Sequence, residues 1–469
     1  MSICNYTCIH MAKSTKRITS QYFTWPRLRA IQQRIPSVLY FWHRPLHFFL
    51  YTCYPAYLPW RSTDTSNVDI TDLKDNPLLF TEEGIHRYCR GGFHPVSLGD
   101  KFHNGQYTVH HKLGFGESCT VWLAKDNHNV WHRHGPWVAL KILAARIKER
   151  REIRNLRYLK EKTNYFTQNH NIVGFLDTFL IIGPNGTHHC LVFSSFGPTI
   201  ELIQQFFIDF NNYGDYLEFG DTEFSNSAHC LEMGPSSIYQ IAMNGLFAVE
   251  LMPRLEMCHG GISGSHIIID YNSRLHFTSI GECFEILGSP QAVPLEHRDG
   301  MPLGYGLPEE LIQTAKWPGY VESISDSARL IGFGKSFLRR EGPDNLKQPV
   351  HLRCPESIMG DEVDYRLYLW HTGCFLYQLG TMEPPFPTPL NDYEYIRSIV
   401  GFVEGLPMEW ESKLDEVRLI SEQTFALEQA PATKKQGTEL QLLRTPKQKA
   451  QPQQMLWRQL KRVPQGKNT

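Results

Sequence analysis

The sequence predicts an α+β protein in two lobes, a small antiparallel sheet with one helix followed by a larger, mainly helical body. Three observations predict it. Between residues 107 and 193 five short stretches carry strand patterning, with a single amphipathic helical segment among them. After residue 193 that patterning gives way to long apolar helical stretches at 236–258 and 365–379. The length of 469 residues is too great for one small module and suits two lobes.

The elements follow in order. Residues 107–113 alternate as a strand, glycines interrupt, and 120–124 resume. A His-rich loop spans 126–134. Residues 137–143 form an apolar strand around the lone Lys141. In 146–159, Ile153, Leu156 and Leu159 share one face between charges, which predicts the helix. Residues 172–179 and 189–193 complete the strands. In the second lobe, 236–258 is a helix with apolar positions at Ile241, Leu246, Val249 and Leu251, and 365–379 is a second, strongly apolar one.

Composition bounds the function. Hydrophobic residues are 41% and charged residues 20%, which excludes wholesale disorder. Lysine and arginine total 47 against 48 acids, so there is no global attraction to nucleic acid or anionic membrane. The balance is uneven, however. The first acidic residue is Asp64, after eight basic ones, and residues 433–469 hold nine basic residues against Glu439 alone. These ends read as disordered tails, 1–82 and 426–469. Between them the expected lobes are 83–195 and 196–425, the second with an insert around 270–326. The C-terminal tail lacks interleaved aromatics, so nucleic-acid binding is not indicated. The aromatic stretch 37–60 is broken by His43, Arg44, His47 and prolines, too often for a membrane span. The acid-free N-terminus shares features of a mitochondrial presequence, with a disordered extension the favoured reading. The 11 cysteines include no CxxC pair and no zinc-ligand spacing, which reads as reduced thiols in an intracellular protein of cytoplasm or nucleus.

The chemistry-bearing stretch is His111-Lys-Leu-Gly-Phe-Gly-Glu-Ser-Cys-Thr-Val-Trp-Leu123, a glycine hairpin between strands. Gly114 and Gly116 let backbone amides approach a phosphate, and Val121 is placed to cover a base. Cys119 stands where a third glycine would complete the pattern. Next comes Val138-Ala139-Leu-Lys141. A lysine flanked by strand hydrophobics is costly to bury without an anion or a carboxylate, and Glu152 on the following helix supplies one.

This arrangement resembles a protein kinase N-lobe. It is more narrowly similar to the SR-protein kinases. The residues that carry the likeness are Leu113-Gly-Phe-Gly, Thr120-Val-Trp-Leu, Tyr88-Cys-Arg-Gly-Gly-Phe-His-Pro-Val-Ser-Leu-Gly-Asp100, Asn171-Ile-Val-Gly-Phe-Leu-Asp-Thr-Phe179, Gly183-Pro-Asn-Gly-Thr187, Phe193-Ser-Ser-Phe-Gly-Pro198 and Glu285-Ile-Leu-Gly288. It covers about residues 83–410. The resemblance implies a bilobal kinase fold and ATP-dependent phosphorylation of serines in Arg-Ser-rich splicing factors. It implies an ATP pocket of Leu113, Gly114, Phe115, Gly116, Val121, Ala139, Lys141, Glu152, Phe193, Ser194 and Phe196.

The chain departs from the family where catalysis would sit. In Cys258-His-Gly-Gly-Ile-Ser-Gly-Ser-His266, His259 is in place, but Gly261 stands for the catalytic aspartate, Ser263 for a basic or polar residue and His266 for the metal-binding asparagine. Gly332-Phe-Gly334 replaces Asp-Phe-Gly, Arg353-Cys-Pro-Glu356 keeps its Pro-Glu anchor, and Tyr368 replaces a helix aspartate. Phosphoryl transfer depends on positioning and neutralising phosphate charge. Loss of the base alone costs about 10²–10⁴-fold. Loss of both metal ligands removes the oxygens that Mg²⁺ prefers, and imidazole suits softer metals. Asp270, after the strand-like 267–269, points away from the vacated position. The expected protein is thus a pseudokinase scaffold. Its pocket suits ATP, weakly or without metal, and Mg²⁺ binding is not expected. The alternatives are an active kinase with an altered metal site and a decaying gene copy.

The expected partners are Arg/Ser-rich protein segments, together with one covering a C-lobe that looks incomplete once the chain turns Gln-, Lys- and Pro-rich from Ala430. The only remnant of a later helix there is Leu442-Leu-Arg444. His128, His132 and His134 read as a polar loop rather than a metal cluster, and His110-His111 and His188-His189 as polar strand edges. Ser336 is the only hydroxyl between Gly332 and Cys354, which argues against an activation-loop phosphorylation switch.

Overall fold

The computed structural model describes residues 70–429 except 129–134, 148–150, 164–170, 195, 206–234, 271–278, 318–327, 342–347, 349–351, 361–366, 387–390, 404, 406 and 407. The remaining terminal residues, which carry the two predicted tails, the presequence-like stretch and Leu442-Leu-Arg444, lie outside the described residues, as do His132 and His134. The α+β expectation holds.

Six antiparallel strands form one sheet in the order β1-β2-β3-β4-β6-β5. They are β1 (Lys101–Phe102), β2 (Tyr107–Phe115), β3 (Cys119–Asp126), β4 (Trp137–Leu143), β5 (Phe175–Gly183) and β6 (Gly186–Phe193). Successive side chains alternate between faces. Trp122, Ala124, Val138, Leu140, Ile142, Cys190 and Val192 therefore bury one face as a continuous core. The opposite face carries Val121, Ala139 and Lys141. β5 and β6 run beyond the predicted 172–179 and 189–193 to a two-residue hairpin, with Gly183 opposite Gly186 at φ +132°. Asn185 at its tip donates to the Phe93 and Gly306 carbonyls at 2.7 and 2.8 Å, which holds the longer strands in register.

Helix α1 (Arg151–Lys162) buries Glu152, Ile153, Asn155, Leu156 and Leu159 along one stripe. The predicted start at 146 is too early. The amides of Ala145 and Arg146 donate to Gly92 and Gly91, so those residues form a turn fastened to the segment before the sheet. Helix α2 (Pro235–Arg254) ends at Pro253-Arg254, short of the predicted 258. Ile241, Ala248, Val249 and Met252 are its buried stripe, whereas Leu246 is exposed. Met257–Cys258 instead forms β7, paired with β12 (Phe337–Leu338). Ile267–Ile269 forms β8, and Ala328–Leu330, antiparallel to it, forms β11.

The insert is folded. Helix α3 (Ile280–Leu287) starts at a capping box of Ser279 and Glu282, and β9 (Ala292–Pro294) pairs with β10 (Glu310–Ile312). Leu295 and Leu311 join a core with Leu73, Leu78, Leu79, Ile85, Tyr88 and Phe93. Residues 70–82, assigned above to a disordered tail, are therefore packed structure. Lys112 of β2 is fully buried. Its Nζ donates to Glu82 at 2.8 Å, to Glu83, and to the Ile312 carbonyl at 3.1 Å. A buried cation here has two carboxylates from one neighbouring segment and a carbonyl from another.

The described residues divide at 341 rather than at 195. Sheet, α1, α2, insert and β7–β12 belong to one unit because short bridges tie them together: Ile172 to Leu330, Thr199 to Ile268, and Asn155 Nδ2 to Ser336. The second unit contains α4 (Leu367–Thr381), α5 (Asp392–Val403) and α6 (Met408–Gln429). Its core is aromatic: Trp370 stacks on Phe386 at 5.5 Å, and Tyr395, Ile396, Ile399 and Trp410 complete it. Arg353, beside the buried Glu356, pairs with Asp392.

Two expected polar pairs are corrected. His111 is buried, its ring nitrogens against the Lys112 and Gly288 carbonyls at 3.0 and 3.1 Å. His188 is buried against the Leu143 carbonyl at 2.9 Å. Strand edges covered by the insert and by residues 91–94 do not face water. The seven described cysteines are free, and among the described residues no helix is long and apolar enough to cross a membrane.

Candidate functional site

Strand pairing assembles one half of the site. Gly114 lies opposite Val121, Val121 opposite Lys141, and Ala139 opposite Phe193. These residues form a row across four strands, with Leu113, Phe115 and Gly116 at the hairpin end. A β-carbon on Gly114 would meet nothing within 4 Å, so the backbone there is open to a ligand. Ser194 and Phe196 follow β6 with buried side chains, and the Ser194 amide donates to Gly174 at 2.9 Å.

Lys141 Nζ donates to Glu152 Oε1 at 2.6 Å. Burial disfavours the ammonium, but the Glu152 carboxylate outweighs it and holds the lysine pKa above its ordinary value. The expected pair is formed, and it ties sheet to α1. Two arginines that sequence reasoning passed over hold the hairpin tip. Arg87 donates to the Gly116 carbonyl at 2.8 Å and Arg146 to the Glu117 carbonyl at 3.1 Å. Neither lies in a motif, so nothing in the pattern marks them.

The other half comes from the β7–β8 connection and the Gly-Phe-Gly turn, Phe333–Lys335. His259 Nε2 meets the Ile331 carbonyl at 2.8 Å, and its ring packs edge-on against buried Phe333 at 4.9 Å. Asn155 of α1 donates to the carbonyl and hydroxyl of Ser336 at 2.9 and 3.0 Å. That hydroxyl in turn donates to the Phe333 carbonyl at 2.6 Å and is fully buried. It is a structural link rather than an accessible phosphorylation site. The β7–β8 connection, the Gly-Phe-Gly turn and α1 are thus fastened together, and positions 261 and 332 carry no carboxylate.

Gly261 is spacious: a β-carbon there would make only ordinary contacts, at 3.9 Å, with His266 and with Lys335 Cδ. Gly332 is not. It has φ +81°, and a β-carbon on it would stand 2.2 Å from His266 Cδ2 and 2.9 Å from Nε2. The imidazole occupies the room a side chain at 332 would need. Ser263 Oγ, 2.8 Å from Ser265 Oγ, fixes that ring at 3.1 Å from Nδ1. Burial, then the neighbouring His259, Lys335 and Lys141, push the His266 pKa well down, so the ring is neutral at neutral pH.

The donor set therefore does not fit Mg²⁺. Glycine offers no ligand at 261 or 332, a neutral imidazole is a poor one, and no group of three metal-binding side chains occurs among the described residues. Asp270 is engaged with Arg329 across β8 and β11, as its expected direction requires. Lys335, directly after the glycine turn, was missed by the motif comparison although its position in the chain marks it.

Comparison with known proteins follows the same lines. No protein-family model matches the chain. A serine/threonine protein kinase of Aspergillus fumigatus is 37% identical over 339 residues, 72% of this chain and 71% of that protein. The serine/threonine-protein kinase SRPK of Physarum polycephalum is 25% identical over 332 residues, 67% of this chain and 68% of its own length. Protein kinase dsk1 of Schizosaccharomyces pombe is 38% identical over 130 residues, which span 27% of this chain and only 23% of that protein.

Proposed function

Because the chain belongs to the serine/threonine protein kinases, in the SR-protein-kinase-like family, we propose that it is a pseudokinase: it binds ATP beside Lys141 and acts through binding rather than phosphate transfer. One observation carries this reading, the His266 imidazole standing where the side chain of a metal-binding residue at 332 would go. A family kinase needs a carboxylate at that position to hold Mg²⁺ and another at 261 to take the substrate proton. Both are glycine, and their absence removes base and metal anchor together.

The intact Lys141–Glu152 pair, the open Gly114 backbone and the Val121–Ala139–Phe193 row support nucleotide binding. As a scaffold the protein would take Arg/Ser-rich segments as its partners. Its place would be the cytoplasm or nucleus, in keeping with the free cysteines. A partner covering the second unit would meet the exposed Met408 and Leu419 of α6.

The test is a radiolabelled phosphate-transfer assay on an Arg-Ser peptide, comparing wild type with Lys141→Ala. The expected result is no incorporation with either protein. Incorporation that requires Lys141 would overturn the reading in favour of an active kinase with an altered metal site.

A further inference from the structure

We infer that the pocket takes its nucleoside triphosphate free of divalent cation, with Lys335 supplying positive charge in place of the metal. The inference rests on the nucleotide-binding reading above and goes beyond it in naming the charge state of the ligand and the residue that meets it.

A kinase site meets a bare polyphosphate with two problems. The triphosphate carries several negative charges, and the aspartates that hold Mg²⁺ repel it until the metal arrives. Here the second problem is gone, because Gly261 and Gly332 carry no charge. The first is met by cations of the chain itself. Lys335 leaves the glycine turn with its Cδ 3.9 Å from the point where a β-carbon on Gly261 would stand, so its stem passes beside the space of the absent base. Its side chain lies along the Gly260–Gly261 turn, with Cβ 3.3 Å from where a β-carbon on Gly260 would stand. Lys141 approaches the same turn from the sheet through Glu152, whose Oε2 lies 3.5 Å from where a β-carbon on Gly334 would stand. Arg87 and Arg146, bonded to the carbonyls of Gly116 and Glu117, add positive charge under the hairpin tip.

Mg²⁺ has the opposite effect in such a site. Complexed to the triphosphate it cancels part of the charge these cations attract. It also brings a demand for octahedral oxygen ligands that Gly261, His266 and Gly332 do not meet. Affinity for ATP should therefore fall when Mg²⁺ is added.

The experiment is calorimetric titration of the full chain with ATP in EDTA and in excess Mg²⁺, for wild type, Lys335→Ala and Lys335→Arg, with adenosine as a second ligand and circular dichroism to verify folding. Wild type should bind ATP more tightly in EDTA than in Mg²⁺. Lys335→Ala should lose roughly tenfold or more in EDTA, the worth of one charge-assisted contact, while its adenosine affinity is unchanged. Lys335→Arg should keep most of the ATP affinity. Binding that requires Mg²⁺, or equal ATP affinity in wild type and a folded Lys335→Ala, would overturn the inference and leave the nucleotide-binding reading standing. Absence of ATP and adenosine binding by folded wild type in both conditions would overturn that reading, and the inference with it.

Discussion

His266 Cδ2 lies 2.2 Å from where a β-carbon on Gly332 would stand, so the two altered metal positions are in contact and constrain each other. Restoring a side chain at 332 while His266 remains is sterically blocked. Gly332→Ala should cost about 2–4 kcal/mol, from the left-handed backbone and the overlap together. In a His266→Ala background the overlap disappears, and the same substitution should cost only about 1–2 kcal/mol, the backbone share. A double-mutant cycle by urea unfolding measures the difference. Equal penalties in both backgrounds would contradict the contact.

Lys141 and Glu152 are both largely withdrawn from water, so either alone is a buried uncompensated charge. Lys141→Met should destabilise the protein by about 3 kcal/mol. Lys141→Met combined with Glu152→Gln should regain at least half of that. Denaturant midpoints of the three proteins decide it, and a double variant no better than Lys141→Met would show that packing rather than charge sets the cost.

Lys112 has a sharper version of the same problem, because removing it leaves Glu82 and Glu83 facing each other inside the protein. Lys112→Met should cost about 3–5 kcal/mol. Hydrogen exchange should speed up at Thr314, whose amide donates to Glu82 at 3.0 Å, and along β10. Protection confined to wild-type levels at these amides would argue that the insert is held by its apolar core alone.

Acid should weaken the fold through His259. Burial lowers its pKa to about 4; the Ile331 carbonyl opposes this, and Lys141 and Lys335 add to the lowering. An unfolded histidine titrates near 6.5, so between those values the unfolded chain binds a proton that the folded chain refuses. The contribution is fully present above pH ~6.5 and is lost as pH falls toward the folded value, up to about 3 kcal/mol. Melting temperatures from pH 7 to 4 should fall less steeply in His259→Gln, which keeps a donor for the Ile331 carbonyl. An unchanged slope would assign the acid sensitivity to other groups such as His94, also lowered to about 4 by burial and then by His188.

Much of the sheet was legible because its physics is local. β4 is read to the residue, since a seven-residue apolar run around one lysine is what a central strand buried on both faces requires. Lys141 and Glu152 could be paired from spacing for the same reason: burying either demands the other. What was not legible depended on distant partners. Met257 and Cys258 continue the apolar pattern of α2, and only Phe337 and Leu338, far along the chain, make them a strand. The start of α1 was missed because Gly91 and Gly92 capture the amides that would have opened it. His266 and Gly332 each read as a separate loss, and their mutual dependence is a matter of ångströms that no motif records.

The buried bond from Lys112 to the Ile312 carbonyl spans 200 residues of sequence. During synthesis the glycine hairpin emerges long before the strand that completes its neighbour's burial. At ordinary elongation rates the interval is on the order of 10–40 s. Throughout it Lys112, Glu82 and Glu83 can be paired with one another but not sealed from water, and one edge of the apolar core around Leu73 and Phe93 stands open. The sealing of Lys112 is therefore a late event of folding, in a chain whose sheet contacts alone would form early. A nascent chain released before residue 312 would display that edge to chaperones, which makes the insert a checkpoint on the burial of Lys112.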